Sequence, residues 1–500
     1  MNLAIVFSRA KSGITAPLVC VEVHLSNGLP ALHIVGLPET AVKESKDRVR
    51  SALLNANFEF PSRRITINLA PADLPKEGGR FDLPIALGIL AASGQIPFAA
   101  LEGREFIGEL GLNGELRHVP GALPAAIACS TAGRSLFLPA SDASEGALVK
   151  SARVFGIANL LELCAYLHAR IELQPALPLA AAESQIYPEL ADIRGQTQAK
   201  RALAIAAAGA HNLLLFGPPG TGKTMLASRL PGLLPPLTES EQLEVAAVHS
   251  VAGRYDASLL KQRPFRAPHH TASAVALVGG GSVPRPGEIS LAHRGVLFLD
   301  ELPEFQRKVL EVLREPLESG EIVIARASQQ ITYPARFQLV AAMNPCPCGY
   351  YGDRERDCRC SADGIRRYRN RISGPLLDRI DLQVPVNRLP KGILSSTQIE
   401  ADDSEFLREK ILLARHKQLQ RQQKVNSNLT GSEIDTLGNI SADNRAMLEE
   451  DVLKLGLSAR AYYRILKVAR TIADLDDSNA VEKPHIREAL YYRALDKKPE

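Results

Sequence analysis

Apolar and polar positions alternate in LVCVEVHL (residues 18–25) and RITINLA (64–70), so every second side chain falls on one face, as in a half-buried strand. Between and after them, ETAVKESKDRVRSALLNA (39–56) reads as a helix and LPIALGILAASG (83–94) as a longer apolar segment. The opening MNLAIVFSRAKSGI has a short apolar run, but no basic region precedes it and no small-residue cleavage site follows. It predicts a strand and not a signal peptide. Residues 1–173 therefore read as an α/β or α+β domain.

Residues 174–188, QPALPLAAAESQIYP, are rich in Ala and Pro and poor in charge, which marks a linker. From 189 to 387 the pattern is strand, Gly-rich turn, helix, repeated, as a parallel sheet requires. After 387 the strand signals stop. SEFLREKILLARHKQLQRQQK, SADNRAMLEEDVLKLG, SARAYYRILKVARTIADL and KPHIREALYYRAL predict a helical lid over 388–500. The sequence shows no internal repeat.

A chain of 500 residues has room for two or three domains, each with its own core. Hydrophobic residues make up 45% and charged residues 23%, the balance of a globular protein. The net charge of +4, from 59 basic and 55 acidic residues, excludes a uniformly basic coat for nucleic acid, so any basic surface is local. No stretch approaches the roughly 18 apolar residues of a membrane span. A cytoplasmic setting with no membrane partner is expected, in which Cys20, Cys129 and Cys164 are core residues.

The chemistry begins at LLLFGPPGTGKT (213–224), an apolar strand running directly into G-x-x-x-x-G-K-T. Backbone amides of Gly217, Pro218, Pro219, Gly220, Thr221 and Gly222, apart from the two prolines, can surround phosphates at a helix N-terminus. Lys223 can reach the β and γ oxygens of ATP, and Thr224 can ligate Mg2+. GVLFLDE (295–301) is a second strand ending in carboxylates: Asp300 to hold magnesium through water, Glu301 to activate the attacking water.

MNPCPCGYYGDRERDCRC (343–360) places four cysteines in eighteen residues. Cys346 and Cys348 form one C-x-C and Cys358 and Cys360 another, with nine residues between. Two chelating pairs can close a tetrahedral Zn2+ shell; a redox pair or unliganded thiols are the alternatives. Such a knot has no open position and no chemistry of its own, so its role would be to stiffen the loop and hold outward the arginines at 354, 356, 359, 366, 367, 369 and 371. That patch, Arg366 and Arg367 included, reads as a phosphate-backbone footprint or as a solvated or subunit-contacting face. EIVIARASQQITYPA (321–335) predicts two short strands around a turn near Ser328. There Arg326, Gln329 and Gln330 can contact phosphates and sugars, unless the hairpin is simply exposed. The 76 residues between Lys223 and Asp300 leave space for a further hairpin within TASAVALVGGGSVPRPGEI.

Together with AAMNP (341–345) and LLDRIDL (376–382), these motifs resemble an AAA+ ATPase of the branch that includes magnesium chelatase and MCM helicases. APHHTASAVALVGGGSVPRPGEISLAHRGVLFLDE and MNPCPCG extend the resemblance, over nearly the whole chain, to the bacterial ComM/YifB family of magnesium-chelatase-like proteins. The resemblance implies that Asn344 is the sensor asparagine and that Arg379 is the arginine finger reaching the neighbouring subunit's γ-phosphate. It also makes Arg460 the second sensor, on a lid helix. An ion pair of Arg379 with Asp378 or Asp381 is the competing reading. The implied assembly is a homo-hexameric ring with both hairpins in its channel.

PADLPKEGGRFDLPIALGIL and GELGLNGELRHVPGA resemble the fold of the Lon protease domain and of the RadA C-terminal domain, of the ribosomal S5 domain 2-like α+β type. Arg80 occupies the position of Lon's serine, and no lysine lies between Lys76 and Lys150, so peptidase activity is not expected. Arg63, Arg64, Lys76 and Arg80 either face nucleic acid or form a salt-bridged surface. The resemblance implies an ATP-driven motor on single-stranded and branched DNA that promotes branch migration in natural transformation, with recombination proteins as partners. The alternative is a chelatase-like remodeller of a protein.

Overall fold

The computed structural model describes residues 2–178, 187–257, 260–281, 284–325, 330–353, 355–390, 404–493 and 495. Strands β1 (Leu3–Arg9), β2 (Leu18–Ser26), β3 (Ala31–Val35), β4 (Arg64–Ala70) and β5 (Arg104–Phe106) come first, then the two-residue hairpin β6 (Glu109–Leu110) and β7 (Leu116–Arg117), then β8 (Ser135–Pro139) and β9 (Arg153–Ile157). Seven of them make one mixed sheet in the order β3-β4-β2-β1-β5-β8-β9, antiparallel where β2 meets β1 and β4, parallel elsewhere. The alternation in β2 is as expected: Val19, Val21, Val23 and Leu25 are buried, while Cys20 is only half-buried and not a core residue.

The apolar segment after β4 is the helix Asp82–Ala92, buried on every side. Gly88 permits its close approach to the sheet, since a Cβ there would stand 2.4 Å from Val23 Cγ2. The helix expected over 39–56 breaks at Glu44 into Thr40–Lys43 and Ser45–Asn55.

The second sheet is wholly parallel. β10 (Leu213–Phe216), β11 (Phe265–Arg266), β14 (Val296–Leu299), β17 (Gln338–Met343) and β18 (Leu382–Pro385) lie in the order β11-β14-β17-β10-β18. Both faces are covered, so Leu213, Leu214 and Leu215 are all fully buried. Two hairpins pack on this core: β12 (Gly279–Gly280) with β13 (Arg285–Pro286), and β15 (Glu321–Ala325) with β16 (Gln330–Pro334). They pack together, the buried Tyr333 hydroxyl donating to Pro284 O at 2.9 Å.

The two sheets form one body. The helix Ala122–Thr131 packs on the helix Glu239–Val251, so that Ala122, Ala125 and Ala126 share a cluster with Ala246 and Ala247. Gly13 abuts β16, where a Cβ would stand 2.9 Å from Ile331 Cγ2. This arrangement corrects part of the expected basic face. Arg63 and Arg64 are exposed, but Lys76 is fully buried and bonded to Pro71 O, and Arg80 is buried. Burial lowers the Arg80 guanidinium pKa to about 10, against the pull of Glu77 and Asp142. Neither group is placed to meet a polyanion.

All four expected lid helices form, as Ser404–Gln422, Ala442–Lys454, Ala459–Leu475 and Lys483–Tyr491. Ser441 and Ser458 cap the second and third by accepting from the amides of Asn444 and Ala461. Among the described residues no helix is long and apolar enough to cross a membrane.

A buried polar network joins lid to core. Asp381, at the foot of β18, accepts from the Asn212 amide at 3.1 Å and pairs with Arg464 of the third lid helix. His211 lies between Asp381 (3.4 Å) and the Thr471 hydroxyl (2.8 Å). Burial alone would raise the Asp381 carboxyl, but Arg464 and His211 outweigh it and hold it below the ordinary carboxylate range. Replacing Asp381 by Ala leaves Arg464 and the Asn212 amide without this acceptor, and is expected to cost about 3–5 kcal/mol of unfolding free energy in denaturant titration. Because the folded pKa is depressed, the contribution is present above about pH 4 and disappears on acidification below it.

Candidate nucleotide site and cysteine knot

Parallel strands carry their functional loops at the carboxyl edge, and three central strands end here side by side. β10 runs into the Gly217–Gly222 loop, β14 into Asp300 and Glu301, and β17 into Asn344. Gly217 lies so close to β18 that a Cβ would stand 2.1 Å from Val386 O. Gly220 and Gly222 have φ of +77° and +89°, which lets the loop turn back before the helix Lys223–Leu233 begins.

The Lys223 ammonium donates to Gly217 O (2.8 Å), Pro218 O (2.9 Å) and Asn344 Oδ1 (3.2 Å). Burial lowers its pKa, opposed by Asp300 and Glu301. The Thr224 hydroxyl donates to Asp300 Oδ2 at 2.8 Å, so a hydroxyl and a carboxylate oxygen converge as an octahedral Mg2+ site requires. Bound there, magnesium would neutralise phosphate charge.

Asp300 also accepts from the Glu301 amide at 2.8 Å. Glu301 has φ +51°, and its half-exposed carboxylate pairs with His270 Nδ1 at 3.2 Å. His270 follows β11 and leads into the β12–β13 insert. Although the motif APHH was legible, only the folded chain gives this histidine a partner. Gln196 also emerges only from the structure, donating to Thr221 O (3.2 Å) and Asn387 O (2.8 Å) and so clamping the loop.

The two arginines assigned by resemblance lie apart from this cluster in one chain. Arg379 is buried and paired with neither Asp378 nor Asp381; its partner is Glu318, which precedes β15. Arg460 is exposed in the first turn of the helix Ala459–Leu475.

The four thiols at 346, 348, 358 and 360 meet, their sulfurs all within 4.8 Å of one another. Three of the separations are 3.4, 3.6 and 3.7 Å, near the roughly 3.8 Å edge of a tetrahedral zinc–thiolate shell with 2.3 Å bonds. Amides of Tyr351, Cys348 and Cys360 donate to Cys346, Cys360 and Cys358, the outer contacts that orient thiolate ligands. The donor set fits zinc.

Several arginines of the expected patch have partners within the fold. Arg356 bonds and stacks on Tyr350, Arg369 donates to Pro345 O and stacks on Tyr351, and Arg371 pairs with Glu304. Guanidinium planes find aromatic faces and carbonyls nearby, yet of these three only Arg369 is half-buried, while Arg356 and Arg371 stay exposed. Arg359, Arg366 and Arg367 remain exposed, Arg366 with Asp363 as a solvated partner. Gln330 is exposed at the start of β16, whereas Arg326, Gln329 and Arg354 lie outside the described residues.

Comparison with known proteins matches three stretches of the chain to family models. Residues 189–394 match the model for magnesium chelatase, subunit ChlI; residues 21–142 match that for subunit ChlI of Mg-chelatase, and 401–493 that for its C-terminal region. Competence protein ComM of Haemophilus influenzae is 54% identical over 99% of this chain and 98% of its own, and YifB of Escherichia coli 50% over the same shares. The magnesium-chelatase 38 kDa subunit of Rhodobacter capsulatus is 27% identical over 63% of this chain and 88% of its own. With a P-loop parallel sheet, a helical lid and relatives of this identity along the whole length, the chain belongs to the ComM/YifB family of magnesium-chelatase-like AAA+ ATPases.

Proposed function

We propose that this protein is a homo-hexameric DNA translocase that uses ATP to drive branch migration when single strands are integrated by homologous recombination in natural transformation. The observation that carries the reading is the path from catalysis to the hairpins. The Glu301 carboxylate meets His270 Nδ1, His270 leads into the β12–β13 insert, and that insert is bonded to β16 through Tyr333. A change at the γ-phosphate therefore has a mechanical route to the strands of two hairpins. The name of the Haemophilus influenzae relative supports DNA as what those hairpins grip.

In this reading Lys223 and the loop amides hold the phosphates, Thr224 and Asp300 hold magnesium, and Glu301 takes the proton of the attacking water. Asn344 orients that water. Arg379 leaves Glu318 to reach the adjoining subunit's nucleotide, and Arg460 answers the nucleotide of its own. The Cys346, Cys348, Cys358 and Cys360 knot holds one Zn2+ in a structural role. Exposed Arg366 and Arg367, with Gln330 and the turn containing Arg326 and Gln329, meet the phosphate backbone. A second reading, a remodeller acting on a protein, is favoured by the similarity to the Rhodobacter capsulatus chelatase subunit.

Glu301→Gln should lower ATP turnover about 10²–10⁴-fold with nucleotide binding retained, and Lys223→Ala should abolish binding in a filter assay. Three-stranded junctions should stimulate wild-type turnover and be resolved on gels, with stimulation falling steeply as salt rises. Stimulation by a protein and none by DNA would support the remodeller instead.

Arg379→Ala and Glu301→Gln should each be inactive alone. Mixed together they should recover turnover, because some seams then join an intact pocket to an intact finger. No recovery on mixing, or full activity of Arg379→Ala, argues against a site shared between subunits.

His270→Ala removes the imidazole that the Glu301 carboxylate meets. DNA-free turnover should rise several-fold while the maximal DNA-stimulated rate changes little, and His270→Asn should behave between the two.

A further inference from the structure

The cysteine knot and the phosphate-binding loop touch at one point. Gly349 is buried and has φ +85°; a Cβ on it would stand 2.9 Å from Pro219 Cδ, 3.4 Å from Pro219 Cγ and 3.9 Å from Asn344 Cγ. Its amide donates to Cys346 O at 3.0 Å, so the turn that presses on Pro219 is the turn that bears Cys346 and Cys348. Two residues before Cys346, Asn344 accepts from Lys223. The knot thus meets the nucleotide site twice, once through the loop backbone and once through the sensor side chain.

We infer that the cysteine knot is a wall of the nucleotide site, with Gly349 as a positioning residue, and that metal and nucleotide stabilise each other across the Gly349–Pro219 contact. The inference rests on the zinc reading above. A loop with glycines at positive φ on both sides of Thr221 has many shapes open to it, and a rigid neighbour narrows them. Only a residue without a Cβ fits between Cys348 and Pro219 at this separation. An ordered loop in turn fixes the Gly349 turn and so the sulfurs of Cys346 and Cys348. Such coupling is reciprocal: the factor by which metal tightens nucleotide binding is the factor by which nucleotide tightens metal binding.

The test uses the full-length protein. Zinc per chain is first measured by elemental analysis. Release of the metal to a chromophoric chelator is then timed with and without a saturating non-hydrolysable ATP analogue. In the wild type, nucleotide should slow release on the order of tenfold, within the usual range of coupling between sites. In Gly349→Ala, whose methyl group separates the two loops, and in Pro219→Ala, which removes the ring from the other side, release should proceed at one rate with or without bound nucleotide. Zinc content should stay at about one per chain in both. Should Gly349→Ala fail to fold, Pro219→Ala carries the comparison alone. Equal release rates in nucleotide-saturated and nucleotide-free wild type would overturn the coupling while leaving the zinc knot intact. A chain purified without zinc would overturn the knot and the coupling together.

Discussion

Lys223 reaches Asn344 only because β10 and β17 are hydrogen-bonded neighbours in a register that sets Phe216 opposite Met343. The same register, carried across to β14 by the pairing of Leu299 with Ala341, puts Asp300 at the level of the phosphate-binding loop. Three stretches separated by scores of residues thereby end on one edge of one sheet. Lysine, hydroxyl, carboxylates and amide converge there without any side chain having to span a long distance. Displacing β17 by a single residue would invert its side chains and withdraw Asn344. The chemistry is therefore as secure as the core that keeps these strands in register.

The base of that core is also where the lid is attached. Asn212, just before β10, donates its amide to Asp381, its side-chain nitrogen to Arg379 O, and accepts from the Leu339 amide. One residue thus ties together the three strands β10, β17 and β18. Asp381 passes the tie to Arg464, one helical turn beyond Arg460. The backbone of Arg379, read by resemblance as the arginine finger, is thus tied through Asn212 and Asp381 to Arg464, on the same helix as Arg460. A rigid connection of this kind suits a ring in which events at one seam must be felt at the next.

Motifs whose chemistry is local were legible before folding. The G-x-x-x-x-G-K-T loop, the strand ending in Asp300 and Glu301, the two C-x-C pairs and the capped lid helices need only their neighbours in sequence, and each forms where its pattern lies. What could not be read were partners supplied by the fold. Glu318 lies 61 residues from Arg379, so sequence proximity pointed to Asp378 and Asp381 instead. Lys76 and Arg80 looked like surface cations, but the fold buries both. His270 had no assignable role, because its meeting with Glu301 depends on the order of β11 and β14 in the sheet. The arginine run hid a similar detail: a count of charges does not show which guanidinium groups lie on Tyr350 and Tyr351.

Glu301 poses a last physical question, since a β-carbon at φ +51° costs of order 1–2 kcal/mol that glycine would not incur. Glycine would have no carboxylate, so the strain persists wherever the base must follow Asp300 directly and still turn out of the sheet. Two tethers set its conformation: the amide to Asp300 at 2.8 Å and the carboxylate to His270 at 3.2 Å. The first is part of the rigid sheet edge, whereas the second comes from the segment that leads into a hairpin. When that segment shifts, the imidazole leaves while the backbone strain stays. The carboxylate orientation is then the softest coordinate in the site and the first to respond. In the proposed role of Glu301 as the base, its position can answer to what the hairpins touch, and the rest of the nucleotide pocket need not be rebuilt.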